Sequence, residues 1–233
     1  MTQAELAGRV LDRARALVRR DDTMLTEARV EQYLRSGEWS HDTYWDLLER
    51  HAAAAPEASA IVDENGTITT WEQLRVRSLA FAAALLAQGY RSGDCLGIQL
   101  PNWSEFCVAV LGAVRTGVCP VFIHPPYRAY EMEYILRLTE ARGIVVPARY
   151  RGTDYVALAR QVQASLPHLR DVFPVRAAGE GSFEALLASH RGESVEVPAP
   201  LATDLFVLMF TSGTTSRPKG VMHLHANLLN ACR

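Results

Sequence analysis

Residues 210–221 read Phe-Thr-Ser-Gly-Thr-Thr-Ser-Arg-Pro-Lys-Gly-Val, a run of hydroxyls and glycines that ends in one lysine. An apolar segment, 205–210, precedes this run, and a partly alternating segment, 221–225, follows it. The flanking patterns predict a strand on each side, so the hydroxyl-rich run is expected to form a loop between two strands. Because the loop offers almost no apolar area to bury, a packing role is not expected for it.

The composition of this loop is typical of a site that binds an anion. Glycine lets successive backbone N–H groups turn toward one point, and Ser and Thr hydroxyls add donors that can rotate. Lys219 adds a mobile charge, whose attraction for a phosphate about 4 Å away is on the order of 4 kcal/mol in a partly dried site. Lys219 is also the only lysine, since every other member of the 24 Lys and Arg residues is arginine. The pattern therefore favours a phosphate-binding loop over the chance placement of one lysine in a loop.

The residue order around Lys219 differs from that of a Walker P-loop. A P-loop has glycine directly before its lysine, Ser or Thr directly after it, and then a helix. Here Pro218 precedes Lys219 and Gly220 follows it, ahead of a predicted strand. An ordinary P-loop NTPase is accordingly the least favoured function.

Composition is that of an ordinary globular protein. The 233 residues are 48% hydrophobic and 21% charged, and a formal net charge of −2 gives no attraction for nucleic acid or an anionic membrane. No stretch is long enough to span a bilayer, and the N-terminus lacks the apolar core of a signal peptide. The 4 cysteines show no metal-ligand spacing. They are expected to be free thiols in a reducing compartment, and a cytoplasmic location is therefore expected.

Upstream of the loop, short apolar segments alternate with helical patterns. Predicted strands lie at 95–100, 120–123, 143–146, 171–175 and 205–210. This alternation predicts an α/β fold with a mixed, largely parallel sheet flanked by helices. Ligands of such sheets bind beyond the carboxyl ends of strands, so we expect the loop and the segment that begins at His124 to lie close together.

Local signals predict further elements near the N-terminus. Asn65-Gly66 predicts a hairpin that pairs 60–62 with 67–69. Thr70 and Gln73 form the pattern of a capping box, which predicts the start of a long helix.

We expect three parts in the chain. Residues 1–36 are predicted to form a peripheral N-terminal helix and linker, with an amphipathic helix over 5–20. The arginine-rich face of this helix could contact a membrane or a partner, but exposure to solvent is the favoured interpretation. Residues 37–200 are predicted to form a first α/β subdomain, and 201–233 the start of the next subdomain with the phosphate-binding loop.

The loop at 211–221 resembles the signature loop of the adenylate-forming ligases, which include acyl- and aryl-CoA synthetases, adenylation domains of nonribosomal peptide synthetases and luciferases. One difference is Ser216, where the family usually has glycine. The resemblance covers about 39–233, and residues 100–146 are most similar to aryl-activating members such as dihydroxybenzoate–AMP ligases. Weaker family-like segments lie at 68–74, 93–102 and 113–121.

The resemblance implies an ATP-dependent ligase reaction in two steps. A carboxylic acid attacks the α-phosphorus of MgATP to give an acyl- or aryl-adenylate and pyrophosphate, and a thiol then accepts the acyl group. The thiol belongs to coenzyme A or to the phosphopantetheine of a carrier protein. The resemblance gives Lys219 a catalytic role. The residues that match the phosphate-binding loop are Thr211, Ser212, Gly213, Thr214, Thr215, Ser216 and Lys219.

Family members continue well beyond this loop. The resemblance places their acid pocket, their Mg²⁺-binding glutamate and a mobile C-terminal domain with a catalytic lysine in that later part, and nothing up to Arg233 matches these features. We therefore expect the N-terminal part of a ligase, inactive alone, with exposed apolar surface that binds a complementing C-terminal chain. The alternative is a non-catalytic interaction module that keeps the ligase scaffold.

Other residues near the loop have open roles. His225 is expected either to make a structural hydrogen bond near the site or simply to lie on an edge strand. His223 and His124 are expected to be structural or solvated, and Trp71 and Trp103 are expected to pack in the core or at its rim.

Overall fold

The computed structural model describes residues 26–211 and 218–232. The predicted helix at 5–20 lies outside these residues. The strands are β1 Ser59–Val62, β2 Ile68–Thr70, β3 Cys95–Ile98, β4 Cys119–Phe122, β5 Gly143–Pro147, β6 Arg149–Tyr150, β7 Thr153–Asp154, β8 Asp171–Val175, β9 Leu205–Thr211 and β10 Lys219–Leu224. The helices are α1 Glu27–Arg35, α2 Tyr44–Ala54, α3 Trp71–Ala87, α4 Ser104–Arg115, α5 Ala129–Leu138, α6 Tyr155–Ser165, α7 Phe183–Ser189 and α8 His225–Ala231.

One sheet of six strands organises the described part of the chain. Its strand order is β10-β9-β4-β3-β5-β8. The pairs formed by β9 with β4, β4 with β3, β3 with β5 and β5 with β8 are parallel. Only the pair of β10 with β9, at one edge of this sheet, is antiparallel. The predicted mixed, largely parallel α/β fold is confirmed.

Helices cover both faces of this sheet. On one face, α3, α4 and α7 bury Phe81, Val108 and Phe183 against the strands. On the other face, α5 and α6 bury Ile135 and Val162. Burial on both faces explains why the central strands read as continuous apolar runs rather than alternating patterns.

The hairpin and the helix start predicted near the N-terminus are both present. Strands β1 and β2 pair in antiparallel orientation. Gly66 takes the positive φ of the turn, at 77°, and the Asp63 carboxylate accepts from the backbone N–H of Thr67 at 2.9 Å. Helix α3 begins with the predicted capping box, since Thr70 Oγ1 accepts from the N–H of Gln73 at 3.2 Å and the Gln73 side chain accepts from the N–H of Thr70 at 3.0 Å.

Two described features had not been predicted from the sequence. The short pair β6–β7 is a two-stranded sheet of its own. Helix α1 was also not predicted, and its Val30 is buried in a cluster with Trp39 and Leu224. Some of these contacts are local, since Tyr33 packs against Trp39, and others come from residues far along the chain.

The boundaries predicted at residues 36 and 200 stay predictions. Strand β9 follows residue 200, yet it pairs with β4 inside the six-stranded sheet. Strands on both sides of residue 200 thus share one hydrogen-bonded layer.

A partly buried clasp, formed by Tyr90, Arg142 and Asp171, joins the segment after α3 to the starts of β5 and β8. The Tyr90 hydroxyl donates to Asp171 Oδ2 at 2.9 Å, and the Arg142 guanidinium lies 4.8 Å from the Tyr90 ring and donates to the carbonyl of Gly89 at 2.7 Å. Burial, together with the Asp171 carboxylate, raises the pKa of Tyr90, so the hydroxyl stays protonated as a donor. Gly143 makes room for this clasp, because a Cβ there would lie 2.1 Å from the Tyr90 oxygen and 3.2 Å from the Asp171 carbonyl oxygen.

We predict that Gly143→Ala lowers the free energy of unfolding by about 1–3 kcal/mol, because the added methyl group displaces Tyr90 from Asp171. Urea unfolding of the variant and the parent protein measures this change. Gly181→Ala is the matched control, because no heavy atom lies within 4 Å of its added Cβ and its φ is not positive. The control should stay within about 0.5 kcal/mol of the parent, and an equal effect of both substitutions would contradict the assignment.

Candidate functional site

The two ends of the predicted phosphate-binding loop lie opposite each other at the carboxyl end of β9. Thr211, the last residue of β9, and Lys219, the first of β10, are register partners. The Thr211 hydroxyl donates to the Lys219 carbonyl at 3.5 Å, and both residues are exposed. The strand predicted on each side of the loop is confirmed. The other predicted site residues, Ser212, Gly213, Thr214, Thr215 and Ser216, lie outside the described residues.

Gly220 allows a large side chain to lie beside Lys219. Gly220 and Phe210 are register partners in the antiparallel pair. A Cβ at Gly220 would lie 3.2 Å from the Phe210 ring, so the ring covers the glycine backbone. The Phe210 ring therefore packs on β10 at the residue next to Lys219.

A second segment leaves the sheet beside this loop. Phe122 of β4 pairs in parallel with Met209 of β9. His124 and Thr211 each follow that pair by two positions, and both are exposed. Adjacent strands are about 4.8 Å apart. The expectation that the His124 segment and the loop leave the sheet side by side is therefore confirmed for the described end of the loop.

The turn at 123–128 is held by side chains that sequence reasoning had missed. Gln99, Arg128 and Tyr155 donate hydrogen bonds to backbone carbonyls of this turn. In the sequence, only Gln99 could have indicated these bonds, because it is a polar amide inside the apolar run from Leu96 to Leu100.

The three histidines near the site differ in their surroundings. His225 is buried at the start of α8, and its Nδ1 accepts from the backbone N–H of Tyr44 at 3.2 Å. Burial lowers the pKa of His225 to about 3, so the ring is neutral near pH 7. Of the two roles considered, the structural hydrogen bond is confirmed and the edge-strand placement is wrong. His223 Nδ1 lies 3.1 Å from the Asn227 amide nitrogen, and His124 is exposed.

A paired charge cluster lies beyond the carboxyl ends of β3 and β8. The Arg176 guanidinium lies 3.8 Å from the centroid of the buried Trp103 ring and donates to Glu105 at 2.9 Å and 3.1 Å. Burial would raise the pKa of Glu105, but the hydrogen bonds and charge of Arg176 outweigh it and lower the pKa. Trp71 is half-buried and stacks on His51. The packing roles predicted for both tryptophans are confirmed.

Within 26–211 and 218–232, no group of three or more His, Cys, Asp and Glu side chains could hold a metal ion. In that same part of the chain, no helix is long and apolar enough to cross a membrane.

The sequence matches the family model described as AMP-binding enzyme over residues 48–233. It is 33% identical to the 2,3-dihydroxybenzoate-AMP ligase of Bacillus subtilis, over 84% of this chain and 35% of that protein. It is 30% identical to the medium-chain fatty-acid–CoA ligase of Escherichia coli, over 87% of this chain and 36% of that protein. The chain thus spans about a third of the length of these relatives.

Solved structures give the same result. The apo structure of MbtA from Mycobacterium smegmatis superposes with a TM-score of 0.79 at 28% identity, over 89% of this chain and 38% of that chain. The anthranilate CoA ligase AuaEII, in complex with anthranoyl-AMP, gives a TM-score of 0.70 at 25% identity, over 79% of this chain and 34% of that chain. The resemblance found at the signature loop therefore extends to the fold, with aryl-AMP ligases among the best matches.

We predict that His225 makes the protein less stable in mild acid. Its pKa falls from 6.5 to about 3 on folding, so below pH 6.5 the unfolded state binds a proton that the folded state does not. This group alone should lower the free energy of unfolding by about 2 kcal/mol between pH 7 and pH 5. Urea unfolding at both pH values should show this decrease in the parent protein and in His124→Gln, whose histidine is exposed, but not in His225→Gln. Equal pH dependence in all three proteins would show that His225 is not the cause.

Proposed function

Because this chain belongs to the AMP-binding enzyme family, we propose that it is the N-terminal, phosphate-binding part of an ATP-dependent carboxylate ligase. The whole protein would join a carboxylic acid to AMP, release pyrophosphate, and pass the acyl group to a thiol of coenzyme A or of a carrier protein. The relatives named for 2,3-dihydroxybenzoate and salicylate favour an aromatic acid as the first to test.

One observation carries the proposal: the exposed Lys219 and Thr211 lie opposite each other at the two ends of the hydroxyl-rich loop. An ammonium group and a hydroxyl placed there fit a triphosphate, whose negative charge increases on pyrophosphate as it leaves. Oriented donors and a cation stabilise that charge. We therefore assign the β- and γ-phosphates to Thr211, Lys219 and the loop residues 212–216.

Mg²⁺ would enter with ATP and reduce the negative charge of the triphosphate. We assign it no ligand among the described residues, where no cluster of metal-binding side chains occurs. Its protein ligands are proposed to lie in the part of the ligase that follows this chain in its relatives.

The face beside the edge strand β10 fits contact with further protein. Leu208, Phe210 and Met222 line an open groove of about 800 Å³ there, and Val221 is 39% exposed. Apolar surface of this kind at a sheet edge is typical of an interface. We propose that the remainder of the ligase, in the same or a complementing chain, covers this groove. The alternative function is a non-catalytic interaction module that uses the same face.

We predict that Lys219→Ala in the whole protein lowers carboxylate-dependent exchange of pyrophosphate into ATP by about 100-fold or more, because one preorganised charge contact to the transition state is lost. Lys219→Arg should restore part of the activity, since a planar guanidinium keeps the charge but not the compact shape. Arg170→Ala, an exposed cation that precedes β8 at the opposite edge of the sheet, is the control and should exchange like the parent protein. Unchanged exchange in Lys219→Ala would refute the assignment of the phosphate site.

We predict that the 233 residues expressed alone show no such exchange with 2,3-dihydroxybenzoate, salicylate or decanoate, whereas the whole protein is active with at least one acid. The physical reason is that the resemblance to the adenylate-forming ligases implies an acid pocket in the part of the ligase that follows these residues. Exchange by the isolated chain would contradict the proposed division of the site. Inactivity of the whole protein with every acid would favour the interaction module.

A further inference from the structure

The turn at 123–128 is held by more hydrogen bonds than its own backbone supplies. The turn itself is closed by the Tyr127 N–H, which donates to the His124 carbonyl at 2.9 Å. The Gln99 side chain adds two bonds, from Nε2 to the His124 carbonyl at 3.1 Å and to the Tyr127 carbonyl at 3.0 Å. One amide group therefore joins the end of β3 to both ends of the turn.

Two other side chains complete the set. Arg128 Nη1 donates to the carbonyls of Pro125, Pro126 and Tyr127 at 3.1, 2.8 and 3.1 Å. The Tyr155 hydroxyl donates to the Pro125 carbonyl at 2.7 Å. Every carbonyl from residue 124 to residue 127 thus accepts a side-chain hydrogen bond, while the two prolines restrict φ. Arg128 and the turn's own backbone bond determine the shape of the turn, whereas Gln99 and Tyr155 join the turn to other segments of the chain.

A contribution to folding stability does not by itself explain why residue 99 is a glutamine. Gln99 is fully buried, and its Oε1 has no hydrogen-bond partner among the described residues, which is unfavourable. Both carbonyls that Gln99 binds have a second donor, the Tyr127 N–H for His124 and Arg128 for Tyr127. Removing the amide would therefore leave neither carbonyl unpaired. What the amide adds is a second attachment of the turn to the end of β3, beyond the bond from the Ile123 N–H to the Ile98 carbonyl at 3.0 Å.

The position of the turn matters because the turn leaves the sheet next to Thr211, the described start of the loop assigned to phosphate. His124 and Thr211 lie at the same level beyond the parallel pair of β4 and β9. We propose that Gln99 is a positioning residue for adenylate formation: it fixes the 123–128 turn as a wall of the nucleotide site beside the phosphate-binding loop. This inference rests on the proposed function of the chain.

The consequence for catalysis is specific. Thr211, Lys219 and the loop between them bind the phosphates whether or not the wall is fixed, so ATP affinity does not depend on Gln99. A loose wall allows the carboxylate and the α-phosphate to leave their productive alignment, and a displacement of about 1 Å can lower a rate by 10²-fold. Loss of the amide therefore lowers kcat and leaves the KM for ATP nearly unchanged.

The test is Gln99→Met in the whole protein, measured by pyrophosphate–ATP exchange with whichever of 2,3-dihydroxybenzoate, salicylate or decanoate supports it. We expect kcat to fall by roughly 10- to 100-fold, with the KM for ATP within about threefold of the parent value. Gln163→Met is the matched control, because Gln163 Nε2 also donates to two carbonyls, Leu169 at 3.1 Å and Arg170 at 2.7 Å, at the opposite edge of the sheet. Its kcat should equal that of the parent protein.

Tyr155→Phe, which removes one hydroxyl from the same turn, provides a second variant and should lower kcat by a smaller factor. Thermal unfolding shows that each variant is folded. A folded Gln99→Met with parental kcat, or an equal loss in Gln163→Met, overturns the inference. If Gln99→Met does not fold, parental kcat in Tyr155→Phe overturns it. If Lys219→Ala loses exchange and Gln99→Met keeps it, only the inference about Gln99 is refuted. If the parent protein is inactive with every acid, the proposed function is refuted.

Discussion

Strand β9 pairs in parallel with β4, and this backbone pairing positions Thr211, Lys219 and the 123–128 turn relative to one another. The register of Val121 with Leu208 and Phe122 with Met209 brings the segment after residue 200 into the sheet built by the earlier strands. Buried Phe206 and Val207 stabilise β9 there through apolar contacts. As a result, Thr211 and the turn after β4 lie at the same end of adjacent strands, and β10 becomes the edge strand.

The same pairing explains the role of His225. Helix α8 follows β10 directly, so the position of the β9–β10 pair brings His225 against α2 and allows it to accept from the N–H of Tyr44. The ring also lies 4.9 Å from Phe206 of β9. A buried, neutral histidine thus connects the edge of the sheet to a helix formed far earlier in the chain.

Two arginines that support the fold differ from Lys219 in their surroundings. Arg142 and Arg176 form ion pairs with Asp94 and Glu105 and hold elements of the fold together. Lys219 instead lies exposed at the mouth of the loop. A planar guanidinium suits fixed, multiple hydrogen bonds, whereas an ammonium on a flexible stem can follow a group that moves during reaction. If Lys219 binds the phosphates as proposed, this difference gives a physical reason for a lysine at that position.

Local sequence determined much of this protein. The α/β class, the strands near 95, 120, 143, 171 and 205, the hairpin turn at Gly66 and the capping box at Thr70 all follow from periodicity, turn chemistry or hydrogen bonds between residues a few positions apart. The loop chemistry that led to Thr211 and Lys219 is local as well.

Tertiary structure alone decided the strand order, the hydrogen bonds from Gln99 to the 123–128 turn, and the contact of His225 with Tyr44, 181 positions away. These features depend on side chains that meet only after the sheet has formed. A local sequence pattern indicates which helix, strand or turn a residue can form. Which distant residue it contacts depends on how the whole chain packs.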